Sequence, residues 1–171
     1  MPLDKLLVVL DDAQRIGTQT LVITGGEPLL HPDLCTVVRE AKARGMTVNI
    51  TTNGTLVEKQ WDALMQCGVD SLSFSLDGLA DVHDNIRGQQ GAFGRTMKAL
   101  TRVREETDIH CSVYFVVTNQ NVHQLWDVYQ LAKEQGATFD FWPVNDAPDL
   151  YIQTLEKQQI LLDAVERIIA D

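Results

Sequence analysis

The sequence predicts an α/β fold of about five parallel strands with outer helices, and three observations point there. Short β-branched runs alternate with longer stretches of helical periodicity, consecutive runs are far enough apart to hold a helix, and each run ends in a loop containing glycine or asparagine. Strands joined through a helix pair in parallel by right-handed crossovers. An open doubly wound sheet and a βα barrel both satisfy this pattern, and periodicity does not separate them.

The elements follow in order. An amphipathic opening with Leu3, Leu6, Leu7 and Leu10 on one face stops before Gly17 and predicts a first helix. "TQTLVITGG" reads as a strand, and His31-Pro32-Asp33 as a helix start with proline at the first position, that helix ending at Gly45. "MTVNITTNG" is a second strand, followed by a helix from about Val57 to Cys67 closed by Gly68, and "DSLSFSLDG" is a third. A polar connecting loop around "DVHD" and a glycine-rich loop around "RGQQGAFG" lead to a helix carrying Met97, Leu100 and Val103. "IHCSVYFVVTNQN" is the fourth and longest strand, a helix ends at Gly136, and "TFDFWPVN" is the fifth. The last helix places Leu155, Ile160, Leu161, Val165, Ile168 and Ile169 on an expected buried face. Residues 1–171 read as one domain, without linker or low-complexity tract.

Composition narrows the function. A net charge of −10 argues against a broad nucleic-acid-binding face, and the longest apolar runs fall well short of a membrane span. No basic, apolar and small-residue leader pattern opens the chain, so the expected compartment is cytoplasmic. Cys35, Cys67 and Cys111 are odd in number and widely spaced, which predicts reduced structural thiols rather than a disulfide framework or a zinc site. His83 lacks a second histidine at ligand spacing and reads as part of a solvated loop, so no metal ligands are assigned. Neither a phosphate-binding GxxxxGK[ST], nor a GxGxxG after a strand, nor a GxSxG elbow is present.

What carries chemistry is the run of strand ends: "TGGEP", "TTNG", "SLDG", "VTNQN" and "WPVN". In parallel βα folds these ends share one rim, where ligands bind. Consecutive glycines at 25 and 26 let the backbone approach a ligand closely, and the Glu27 carboxylate beside them favours a cationic group such as an ammonium. A strand-to-helix turn with acids placed near a helix N-terminus explains the same residues equally well.

"ITGGEPLLHPDL", "ITTNGTL", "SFSLDGLADVHDNIRGQQGAF" and "VVTNQN", in this order, resemble the radical S-adenosylmethionine (radical SAM) superfamily, in particular its peptide-modifying and sulfatase-maturing branch. The resemblance covers nearly the whole chain. It implies a partial (βα) barrel holding S-adenosylmethionine at the carboxyl rim, with Gly25, Gly26, Glu27 and Pro28 around the methionine ammonium. It further implies that Asn53, Ser75 and Asp77 line the cofactor pocket and that Arg87 pairs the methionine carboxylate as a guanidinium fork can. Asn119 and the neighbourhood of Pro143 are placed near ribose or adenine. The intact family form binds a [4Fe-4S] cluster and generates a 5′-deoxyadenosyl radical for hydrogen abstraction from a peptide or small-molecule substrate.

One family element is absent. The CxxxCxxC loop that ligates the cluster has no counterpart, and Cys35, Cys67 and Cys111 are too widely separated to replace it. The family's first strand is missing with that loop, so the GGEP strand is expected to be an open edge that invites self-association or completion by another chain. A truncated form, inactive as it stands, is the expectation. The rival is a non-catalytic barrel that binds S-adenosylmethionine, a nucleoside or a protein partner. An unrelated βα-barrel aldolase or isomerase is the weakest alternative, since no Schiff-base lysine or phosphate loop stands at a strand end.

Overall fold

The structure, a computed structural model, describes residues 1–171. Its centre is one five-stranded sheet made of β1 (Thr20–Ile23), β2 (Thr47–Thr52), β3 (Ser71–Ser75), β4 (His110–Val117) and β5 (Thr138–Pro143). Every pairing is parallel and the spatial order is the chain order, β1-β2-β3-β4-β5. A doubly wound sheet would reverse direction at a switch point. The uninterrupted order is instead that of a curled half-barrel, so the barrel is the architecture of this chain.

Seven helices accompany the sheet: α1 (Leu3–Arg15), α2 (Leu34–Ala43), α3 (Trp61–Cys67), α4 (Ala80–Arg87), α5 (Ala92–Glu106), α6 (Leu125–Glu134) and α7 (Leu155–Ala170). The strand side chains facing them, among them Val48, Ile50, Leu72, Phe74, Val113 and Phe115, are 0 or 1% exposed and form one core with Val38, Leu64, Leu100, Leu125 and Val128 from the helices. Alternation along each strand sends the other set into the barrel's concave face. That set is mostly polar, and its members bond across the strands: Asn49 Nδ2 donates to Ser71 and Ser73 at 2.8 and 3.0 Å, and the Ser73 and Ser112 hydroxyls lie 2.8 Å apart.

Several expectations are corrected. The chain after β1 forms a single 3₁₀ turn at Pro28–Leu30, and α2 begins only at Leu34, so Pro32 precedes the helix. The third helix starts at Trp61 rather than Val57, because residues 54–60 are taken up by a run of turns. The "DVHD" segment is not a solvated loop. It lies in α4, capped by Gly88 in the left-handed conformation, and its His83 is 1% exposed. Leu155 and Ile169 of α7 are 84% and 80% exposed, since α7 packs through its other side on α6 and the loop after β4.

The cysteines are corrected too. Cys35, in the first turn of α2, and Cys67, at the end of α3, form a disulfide with their Cα atoms 4.7 Å apart. Thirty-two residues of separation concealed it, because packing of α2 on α3 brings the two ends together. Cys111 remains free and buried, and burial pushes its thiol up to about 11.

β1 pairs with β2 alone, so the sheet ends there in an open edge, with Val22 56% exposed. A groove lined by Leu6, Val9, Leu21, Val22, Pro28 and Val37 runs beside this edge. No helix is long and apolar enough to cross a membrane.

Candidate functional site

The loops after all five strands gather at one end of the half-barrel, and side-chain bonds tie the first to the second, the second to α5, the third to the fourth and the fourth to the fifth. Glu27 makes the first tie. Its Oε1 accepts the Leu29 N–H at 3.1 Å and the Thr52 hydroxyl at 2.8 Å, and its Oε2 accepts the Asn53 N–H at 2.8 Å. One carboxylate thus caps the turn after β1 and fixes the loop after β2. A carboxylate offers about four lone-pair positions, so three donors leave its charge partly available to a ligand. Gly25 has φ +138°, a conformation that residues with a Cβ rarely adopt, and a Cβ at 25 or 26 would meet nothing within 4 Å. Gly25 is therefore set by its backbone conformation, and both glycines face open space in which a ligand can approach the backbone.

Asn53 and Gly54 come next. The Asn53 side-chain oxygen accepts the Thr55 N–H at 2.9 Å and its hydroxyl at 2.7 Å, leaving the amide nitrogen without a protein partner. Thr96, fully buried on α5, donates its hydroxyl to the Asn53 carbonyl at 2.6 Å. Gly54 at φ +76° lies so close that a Cβ would stand 3.0 Å from the Thr96 Cα. That close approach explains the glycine of the "TNG" loop.

The third strand end is the most enclosed. Asp77 is 5% exposed and its Oδ2 meets Arg87 Nε at 2.5 Å, so α4 returns the arginine to the loop that starts the helix. The Asp77 N–H donates to His83 Nδ1 at 3.1 Å. Burial holds the His83 imidazole below its ordinary range, an effect the Asp77 charge partly opposes. Asp84 accepts the Gly91 and Phe93 N–H groups at 2.5 and 2.8 Å where α5 begins, and these bonds, the Phe93 one foremost, hold its carboxyl below the usual range. Ser75, a strand residue between Phe74 and Leu76, makes no side-chain bond to the protein, in contrast to the bonded serines deeper on the same face.

Asn121, 0% exposed, closes the next gap. Its Nδ2 donates to the Asp77 and Val116 carbonyls at 3.0 and 2.9 Å, while its oxygen accepts the Thr118 N–H and hydroxyl at 2.7 and 3.0 Å. Asn119, two residues earlier, turns toward the segment after β5. Its Nδ2 donates to the Asp149 carbonyl at 2.8 Å, and its own carbonyl accepts Lys157 Nζ at 2.7 Å.

Of the residues singled out from the sequence, Gly25, Gly26, Asn53 and Ser75 thus present unused backbone or side-chain groups at adjacent strand ends, whereas Asp77 is turned inward onto Arg87. Pro28 is buried in the 3₁₀ turn, and Asn119 is committed to a neighbouring loop. Sequence reasoning passed over Thr52, Thr96 and Asn121 and misread His83, and these four are the buried polar groups that hold the rim. Polar type at a strand end was the signal for Thr52 and Asn121, which the latter shares with Asn119; His83 and Thr96 lie inside α4 and α5, where no such signal exists.

The residues do not fit an iron–sulfur cluster. Three thiolates would be needed together, and Cys35 is bonded to Cys67 while Cys111 is buried in β4. No group of three potential metal-ligating side chains occurs.

The chain matches the description of the radical SAM superfamily over residues 1–132. It is 37% identical over 130 residues to an AdoMet-dependent heme synthase of Methanosarcina barkeri, covering 75% of this chain and 37% of that one. It is 33% identical over 129 residues to a PqqA peptide cyclase of Ruegeria pomeroyi, covering 74% and 34%. Among solved structures, Streptococcus suis SuiB bound to S-adenosylmethionine superposes with a TM-score of 0.80 over 99% of this chain and 41% of its own, at 19% identity. SuiB has also been solved bound to its precursor peptide SuiA. The chain spans less than half the length of each relative. The extent of the family match, the curled parallel sheet and the glycine-lined rim agree: this chain belongs to the radical SAM superfamily.

Proposed function

We propose that the carboxyl rim of this half-barrel holds S-adenosylmethionine by its methionine end, within a longer protein that abstracts hydrogen from a peptide or small-molecule substrate. One observation carries the reading: Gly25, Gly26, Asn53 and Ser75 stand at three successive strand ends with polar groups that the protein itself leaves unused, although Glu27, Thr52 and the serines deeper in the barrel are bonded. In this reading the Gly25 and Gly26 carbonyls and the residual charge of Glu27 receive the ammonium, and Asn53 and Ser75 add neutral hydrogen bonds. Arg87 pairs the carboxylate with its terminal nitrogens, its Nε staying on Asp77. Asp77 then acts as a positioning residue that aims the guanidinium. The relatives that act on PqqA and the SuiB complex with SuiA support a peptide substrate.

For these 171 residues alone the proposed role is binding without turnover, because their thiols do not fit the cluster. Anaerobic incubation with iron and sulfide is expected to give no stoichiometric cluster, by absorption and by iron analysis. A chain that takes up four irons and cleaves S-adenosylmethionine would overturn that assignment. Arg87→Gln is expected to weaken S-adenosylmethionine binding by about 1.5–3 kcal/mol, the scale of a charged hydrogen bond. Unchanged affinity would remove Arg87 from the site.

A further inference from the structure

The concave face of the sheet extends past the rim, and its charge is distributed unevenly. All fourteen lysines and arginines lie in helices and loops, and the only formally charged residue on any of the five strands is Asp140. The register puts Asp140 beside Tyr114 and Tyr114 beside Ser75, in one row across β5, β4 and β3. Burial, with the Asp140 charge second, raises the Tyr114 hydroxyl above its usual range, so it stays a hydrogen-bond donor and acceptor at neutral pH. Trp142 follows two residues after Asp140 on the same face, about 6.6 Å along the strand. It is 56% exposed.

The other tryptophans show what such a ring accepts in this chain. The Arg102 guanidinium carbon lies 3.8 Å from the centre of the Trp61 ring, and that of Arg167 lies 3.8 Å from the centre of the Trp126 ring. Trp142 alone has no cation on it. An open indole face next to a carboxylate and a phenol, on a wall without basic residues, fits a guanidinium or ammonium and repels a polyanion.

We infer that Asp140, Tyr114 and Trp142 form the substrate wall of the barrel and select a peptide segment carrying a basic side chain, arginine before lysine. This rests on the proposal that substrate enters beside a cofactor held at the rim, since Ser75 joins the two sites in one row. Arginine is preferred because its planar group both stacks on an indole and forks onto a carboxylate.

The test titrates the 171-residue chain with acetyl-Gly-Gly-Arg-Gly-Gly-amide and with its Lys, Leu and Glu counterparts. Binding is followed by calorimetry and by the indole N–H resonance of Trp142, assigned through its loss in Trp142→Leu. The arginine peptide is expected to bind at least tenfold more tightly than the glutamate peptide and to shift that resonance. Asp140→Asn is expected to bring the arginine peptide within threefold of the leucine peptide while leaving the urea midpoint unchanged, since the side chain is exposed. Equal affinities, no binding of any peptide at millimolar concentration, or an arginine preference that survives Asp140→Asn would overturn the inference. A parallel titration with S-adenosylmethionine separates the failures. Cofactor binding without peptide preference defeats the substrate wall alone, and peptide preference without cofactor binding defeats the rim assignment alone.

Discussion

Replacing Glu27 separates its two roles, because the residue holds the rim together and also carries charge toward it. Glu27→Ala deprives the Leu29 N–H, the Thr52 hydroxyl and the Asn53 N–H of their shared acceptor. A hydrogen bond to a charged group contributes about 1.5–3 kcal/mol net, so three sealed bonds would total about 4.5–9 kcal/mol. The site is not sealed. Glu27 and Asn53 are half-buried, so water can replace the acceptor at the Asn53 N–H, whereas Leu29 and Thr52 are 4% and 1% exposed and have no such substitute. The expected loss is therefore about 2–4 kcal/mol, at about 1–2 kcal/mol for each of the two orphaned donors. With an urea m-value of about 2 kcal/mol/M for a chain this size, the unfolding midpoint falls by about 1–2 M. Glu27→Gln keeps one acceptor oxygen and should lose about half as much. S-adenosylmethionine affinity, measured where each variant is still folded, should drop by about 1–3 kcal/mol for Ala through the missing charge. A midpoint within about 0.2 M of the unsubstituted chain would refute the tie between the two loops. Unchanged affinity beside a lowered midpoint would return Glu27 to a purely structural turn residue.

Two further outcomes follow from the same geometry. Asn121→Ala orphans the buried Asp77 and Val116 carbonyls and the Thr118 N–H, and chemical denaturation should register a loss of about 3–4 kcal/mol; less than about 1 kcal/mol would mean that the rim tolerates water there. Reducing the Cys35–Cys67 disulfide releases a 32-residue loop, for which chain entropy gives about 3.7 kcal/mol at 25 °C. Denaturation with and without dithiothreitol should show a loss of about 2–4 kcal/mol, and three titratable thiols in the unreduced, unfolded chain, where the pairing leaves only Cys111, would contradict it.

The strands, their parallel pairing and the convergence of five loops were legible because period-two alternation and glycine punctuation are local signals. Asn49 with Thr51, and Ser71 with Ser73 and Ser75, even display the polar concave face as a sequence pattern. Barrel and open sheet were not separable from periodicity, since what divides them is strand order, a long-range property. His83 was misread because "DVHD" is polar in composition, while the fold turns His83 inward at 6.1 Å from the Phe93 ring. The Asp77–Arg87 pair and the Cys35–Cys67 bond escaped for a related reason: each joins residues that only helix packing brings together. Asn119 and Asn121 sit in one loop and differ in side-chain direction, which a sequence does not display.

The central claim, that this rim binds S-adenosylmethionine, is tested most directly by calorimetric titration of the cofactor into the 171-residue chain and its Ser75→Ala variant. The account predicts one site per chain, weakened by about 0.5–1.5 kcal/mol when the Ser75 hydroxyl is removed, the range of a neutral hydrogen bond. No heat of binding at millimolar cofactor, or an affinity that Ser75→Ala leaves unchanged, would contradict it.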